Sequence, residues 1–231
     1  MVELSKRNAE KAGAGAKAPA GQTARATPVA TPTPPAVPQG AAAAAIDEAA
    51  KANKYILLFF YRAEDEPTLA ARKTFDAAME KFADRATSTV VNVTDPQEQA
   101  LVNKYQVNRS PMPLVLAMAP TGAVTRSFPG QFTEAQLETA FVSPGMQKCL
   151  RALQDRKIAL LCVQNGTTQH NAEAMQGVKE FAAEAQYAKT TEIITVDPTD
   201  AAEESLLKQF KVDPKTEEAV TVFLAPPGTT V

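Results

Sequence analysis

Asp-Pro stands at positions 95–96 and again at 197–198, and the chain passes through the same succession of patterns around each. Lys104-Tyr105-Gln106-Val107 is echoed by Gln209-Phe210-Lys211-Val212, with three residues inserted before it. Ala119-Pro120-Thr121-Gly122 is echoed by Ala225-Pro226-Pro227-Gly228, and Ile56-Leu57-Leu58 falls over Ile158-Ala159-Leu160 at an offset of 102. A recurrence in fixed order points to two copies of one unit. With 231 residues and 45% apolar content, the chain has room for two small cores.

Each copy starts from a short apolar run. Residues 55–61, Tyr-Ile-Leu-Leu-Phe-Phe-Tyr, show no alternation, which suits a strand buried on both faces. The run ends in the turn Asp65-Glu66-Pro67-Thr68. Phe75, Ala78, Met79 and Phe82 then recur three and four apart, with Leu69 six residues before Phe75, giving a helix over 66–83. Around these lie a helix at 41–53, a strand at 89–93, a helix at 97–105, strands at 114–118 and 123–128, and a helix at 133–141 capped by Thr133. Phe128-Pro129-Gly130-Gln131-Phe132 reads as an apolar bend against the sheet edge. In the second copy helices fall at 146–155, 171–186 and 201–210, and strands at 157–163, 192–196 and 219–224.

Twenty residues follow Gly122 before the first copy closes at Val142, whereas only Thr229, Thr230 and Val231 follow Gly228. The second copy is therefore expected to lack its last strand and helix, with the edge completed either by further chain or by a partner's strand. Residues 1–40 hold six prolines and no aromatic residue, with five Lys/Arg against two Glu. Such a composition cannot bury enough apolar surface to offset its ordering entropy, so a disordered Pro/Ala-rich tail is expected, acting as a spacer or as a Pro-rich ligand.

The order of elements resembles the thioredoxin fold. The resemblance implies an α/β chain of two thioredoxin-like domains in tandem, 41–142 and 143–231, behind the tail. In that family Trp-Cys-Gly-Pro-Cys follows the strand, and a cis-proline precedes the third strand, facing the cysteines. Asp65, Glu66, Pro67 and Thr68 fall where Cys-Gly-Pro-Cys would be; the proline is kept and both thiols are gone. The cis-proline maps to Pro111, next to Met112, with Pro113 as the second choice. In the second copy Thr167, Thr168, Gln169 and His170 take the motif position, again without cysteine, and residues 214–219 take that of the cis-proline.

Thiol–disulfide exchange needs a reactive thiolate and a second thiol to resolve the mixed disulfide. Residues 41–142 contain no Cys. Cys162 lies within the second core strand and Cys149 on the helix before it, and neither belongs to a Cys-x-x-Cys pair. Acidic residues at Glu64-Asp65-Glu66 read as a helix cap rather than a general acid/base pair. His170 is the only histidine and no metal-ligand spacing accompanies it, so neither metal nor cofactor is expected. The resulting expectation is a non-catalytic module that binds a protein or extended peptide through Asp65–Thr68 with Ser110–Pro113, or a scaffold. The alternative is a thiol-disulfide oxidoreductase using Cys149, Cys162 or cysteines in further C-terminal chain.

A net charge of −2 gives no pull toward nucleic acid, and no run approaches the ~20 apolar residues of a membrane span. The start as written lacks an export signal, which favours the cytoplasm; a start downstream of an anchor would favour the cell envelope.

Overall fold

The structure is a computed structural model that describes residues 40–226 and 229–230. The expected tail lies outside the described residues. Two sheets share one pairing scheme. In the first, β1 (Tyr55–Tyr61) is central, with β2 (Ala86–Asn92) parallel on one side and β3 (Leu114–Met118) antiparallel on the other, followed by β4 (Val124–Pro129). In the second, β5 (Ile158–Val163) lies between parallel β6 (Thr191–Val196) and antiparallel β7 (Val220–Ala225). Beyond β7 a two-residue strand, β8 (Thr229–Thr230), pairs with β7 at Leu224 and Ala225.

The unbroken apolar runs explain the central strands. Residues 55–60 of β1 and all of β3 are buried, because each is covered on both faces. On one face α2 (Glu66–Lys81) and α4 (Glu134–Glu138) bury Leu57, Phe59, Phe75, Val115 and Leu137 together. On the other, α1 (Ala41–Lys51) and α3 (Gln99–Lys104) pack with Leu58, Phe60, Val102 and Leu116. Phe128 and Phe132 belong to the first of these clusters, so the bend around Gly130 covers a sheet face and not its edge. Its aromatic rings are large enough to gain more by entering the core than by lying along a rim.

The second sheet is covered unevenly. One face, with α5 (Pro144–Gln154) and α7 (Glu204–Phe210), buries Cys149, Leu161, Val163, Ile194, Leu206 and Leu207. On the other, α6 (Asn171–Ala183) covers Leu160 and Cys162, while Ile158, Ile193 and Phe223 stay partly exposed. No counterpart of α4 packs there among the described residues, which accounts for the thinner layer.

One contact recurs in both halves and was not legible beforehand. Glu98, beside α3, is buried and accepts a hydrogen bond from the Ala42 N–H at the start of α1, 3.1 Å away. Glu203, beside α7, is buried and accepts from the Gly145 N–H at the start of α5, at 2.7 Å. Each carboxylate fills a place at a helix N-terminus, where free N–H groups and the helix dipole favour an anion.

The halves also meet through side chains. The Tyr55 hydroxyl donates to the Val142 carbonyl at 2.8 Å and accepts from the Val142 N–H and from Gln147 Nε2, both at 3.0 Å. Gln154 of α5 lies along β4: its Nε2 donates to the Val124 carbonyl at 2.6 Å and its Oε1 accepts from the Val124 N–H at 2.9 Å. Among the described residues, no helix is long and apolar enough to cross a membrane.

Candidate functional site

The carboxyl end of β1 and the amino end of β3 leave the first sheet side by side, since Phe60 pairs with Leu114. The loop after β1 enters α2 through Asp65, whose carboxylate accepts from the Thr68 N–H at 3.0 Å. Pro67 follows in the first turn, where a missing N–H costs nothing. Hydrogen bonds from the Thr68 hydroxyl and N–H hold the Asp65 carboxyl below the usual carboxylate range. That contribution is present above the unfolded carboxylate pKa and is lost as pH falls through the lower folded value. Asp65 is thus a helix cap, as its position suggested. Thr68 is buried while Leu69, the next residue, is one of two large apolar side chains left exposed among the described residues, at 57%.

The loop before β3 carries the cis peptide bond at Met112–Pro113. This corrects the first choice of Pro111 and selects its neighbour, which directly abuts Leu114. Pro111 is exposed, Met112 half-buried and Pro113 buried. Two hydrogen bonds tie this loop to the α2 turn. The Gly130 N–H donates to the Pro113 carbonyl at 2.7 Å, and Gln131 Nε2 donates to the Pro67 carbonyl at 2.8 Å. Gly130 sits at φ +71, a left-handed conformation that glycine adopts without cost. The sequence pattern singles out Asp65–Thr68 and Ser110–Pro113 but gives no sign that Gly130 and Gln131 form the clasp between them. Their only sequence signal is the Pro-Gly turn. Ser110 is extended, at φ −99 and ψ 150, and among the described residues no hydrogen-bond partner is found for the Met112 N–H or carbonyl.

The matching turn of the second half is built differently. Asn165 Oδ1 accepts from the N–H groups of Thr167 and Thr168, and the buried Thr168 hydroxyl accepts from the Asn165 N–H at 3.0 Å and contacts Asn171 Oδ1 at 2.6 Å. Gln169 donates its N–H to the Glu217 carbonyl at 2.8 Å and accepts from the Ala219 N–H at 3.0 Å, forming a parallel bridge with Glu218. The second turn is therefore closed against residues 217–219 by its own backbone. His170 is exposed at the start of α6, at φ 59. Among the described residues no group of three or more His, Cys, Asp or Glu could hold a metal ion.

A central parallel pair, an antiparallel continuation, helices on both faces, and a cis-proline loop clasped to the turn after β1 decide the fold. The fold is thioredoxin-like. No protein-family model matches it, and no curated protein does. Solved thioredoxin structures do match. The germline-specific thioredoxin Deadhead of Drosophila melanogaster aligns at 24% identity and a TM-score of 0.36, over 44% of this chain and 90% of its own. Oxidized thioredoxin O2 from Arabidopsis thaliana aligns at 16% identity and 0.35, over 44% and 85%. The oxidised thioredoxin from Plasmodium falciparum aligns at 14% and 0.33, over 41% and 85%.

The two thiols of the chain are apart. Leu161 and Cys162 are neighbours in β5 and point to opposite faces. Cys149 packs with Leu161, so the sheet lies between the two sulfurs, and both cysteines are buried and unpaired. Burial, and then the charge of Glu203, pushes the Cys149 thiol up to about 12; burial pushes Cys162 up as well. Neither thiol is expected to react with Ellman's reagent in the native protein near neutral pH, and both are expected to react after unfolding in urea. A thiol that reacts in the native state at the rate of free cysteine would contradict this.

Proposed function

We propose that the chain is a tandem of two thioredoxin-like domains, 41–142 and 143–231, that works as a non-catalytic module for binding a protein or an extended peptide. The observation that carries this reading is the extended Ser110 and the unpaired backbone of Met112 beside the clasped α2 turn. Backbone N–H and C=O groups with no partner among the described residues suit pairing with an incoming strand, whose alternate side chains would meet Met112 and Leu69. Asp65, Glu66 and Glu64 supply an acidic rim, so a basic flank on the ligand is favoured. Domain two, with Gln169 already bonded to residues 217–219, serves as support.

The rival reading, exchange through Cys149 or Cys162, lacks an accessible thiolate. Panning a phage-displayed peptide library on the full chain tests the proposal. Selected peptides are expected to bind about tenfold or more weakly to Met112→Asp and Leu69→Asp, as for contacts central to an interface. Leu69→Asp should leave thermal stability nearly unchanged, because the side chain is exposed. Peptides that bind both variants normally would overturn the site. Insulin reduction that Cys149→Ser or Cys162→Ser abolishes would overturn the non-catalytic reading.

A further inference from the structure

The edge strands of the two sheets are not protected alike. A free edge presents unpaired N–H and C=O groups to any other strand, and proteins block it with charge, proline, bulges or a covering group. On β4, Gln154 bonds both backbone groups of Val124, a register shift interrupts the pairing with β3 at Ala117/Met118, and the strand ends in Pro129. On β6, Glu192 places a charge in the strand, paired with Lys157 at 3.0 Å. Among the described residues, strand β2 has none of these. Its sequence, Ala-Thr-Ser-Thr-Val-Val-Asn, contains no charge and no proline, and its seven-residue register with β1 is unbroken. Thr87, Ser88 and Val90 are exposed, and Val90 joins Leu69 as the second large apolar residue that stays so among the described residues.

The direction of the free groups follows from the two ends of the strand. The Arg85 carbonyl accepts from the Tyr55 N–H, and the Val93 N–H donates to the Tyr61 carbonyl. Odd-numbered residues therefore face β1, and Ala86, Ser88, Val90 and Asn92 turn their backbone groups outward. Of these, the Ala86 N–H is used locally, at the Phe82 carbonyl, as is the Asn92 carbonyl, by the Asp95 N–H, which leaves Ser88 and Val90 as the central pair.

We propose that the β2 edge pairs with the same edge of a second copy, antiparallel about a two-fold axis at Thr89, joining the first sheets of the two copies into one. In this register Ser88 exchanges both backbone hydrogen bonds with Val90 of the second copy, and Val90 with its Ser88. Thr89 faces Thr89 in a non-hydrogen-bonded pair, where side chains approach most closely. A strand opposed to itself must carry no like charge at its centre, and β2 meets that condition. Within the paired residues Ala86–Asn92 there is no charged side chain, so the register sets no like charges against each other. A strand-edge contact is small, so the dimer depends on concentration.

Sedimentation equilibrium of the full chain over a concentration series tests this. The wild-type chain is expected to associate to a dimer. Ser88→Pro costs no bond to β1, since the Ser88 N–H points outward, and is expected to give monomer at the same concentrations. Thr89→Lys and Thr89→Glu, each alone, place like charges opposite one another and are expected to weaken the dimer about tenfold or more. An equimolar mixture of the two should restore it, which a misfolded variant could not do. A wild-type chain that stays monomeric throughout overturns the proposal. So does a dimer indifferent to Ser88→Pro, or a mixture that fails to restore association.

Discussion

Gly145→Ala is expected to destabilise the protein by about 2–3 kcal/mol, the scale of forcing one methyl group into a filled core. A Cβ at Gly145 would stand 2.8 Å from Val196 Cγ2 and 2.8 Å from Glu203 Oε2. Neither neighbour is free to yield. Val196 is buried in the cluster under α5, and Glu203 is held by its 2.7 Å bond from the Gly145 N–H itself. Any shift that makes room stretches a charge-assisted hydrogen bond inside the protein, where an unmatched carboxylate is costly. Gly177→Ala is the natural control. Gly177 lies inside α6 with nothing near its would-be Cβ, so alanine there should stabilise by roughly 0.5–1 kcal/mol through helix propensity. Urea denaturation of both variants reads the contrast directly. Equal shifts of the same sign would show that the Glu203 site is not tightly packed.

Tyr55→Phe is expected to cost about 1–3 kcal/mol, because the Val142 N–H and carbonyl lose their partner while the phenyl ring of the variant still fills the space. Gln147 Nε2 also reaches the Val142 carbonyl, at 3.3 Å, and offsets part of the loss. The substitution carries a second signature in pH. Burial raises the Tyr55 pKa, against the lowering by its hydrogen bonds to Val142 and Gln147 and by Arg85. A raised tyrosine pKa means that the contribution is fully present below the unfolded value of about 10 and is lost as pH rises through the higher folded value. Stability measured from neutral pH into that alkaline range should fall more steeply for the wild-type chain than for Tyr55→Phe. Parallel curves would mean that Tyr55 ionises equally easily folded and unfolded.

Much of the fold could be read from pattern. β1 and β3 begin and end where the apolar runs do, since strands buried on both faces leave no polar residue to blur the boundary. β2 starts at Ala86, three residues ahead of the expected Thr89, because an edge strand needs no apolar alternation to stay paired. The helix expected over 133–141 stops at Glu138, and Thr133 with Gln136 forms the reciprocal cap that its position implied. The choice between Pro111 and Pro113 lay in the register with β1, which only the paired strands reveal. Least legible were Glu98 and Glu203. Among 26 acidic residues nothing local marks them. Their role depends on Ala42 and Gly145, each more than fifty positions away. With hindsight, both follow the recurring Asp-Pro turns, displaced by the same three-residue insertion that separates the two halves.

Gln154 addresses only the main chain of β4, giving to one carbonyl and taking from one N–H of Val124. Every amino acid except proline presents that pair of groups. Position 124 can therefore drift through many side chains without loosening the joint, whereas position 154 needs a carboxamide of one length. Mutational constraint at this contact falls on one side only: the second half carries the specificity, and the first half offers a surface that its own substitutions cannot easily erase.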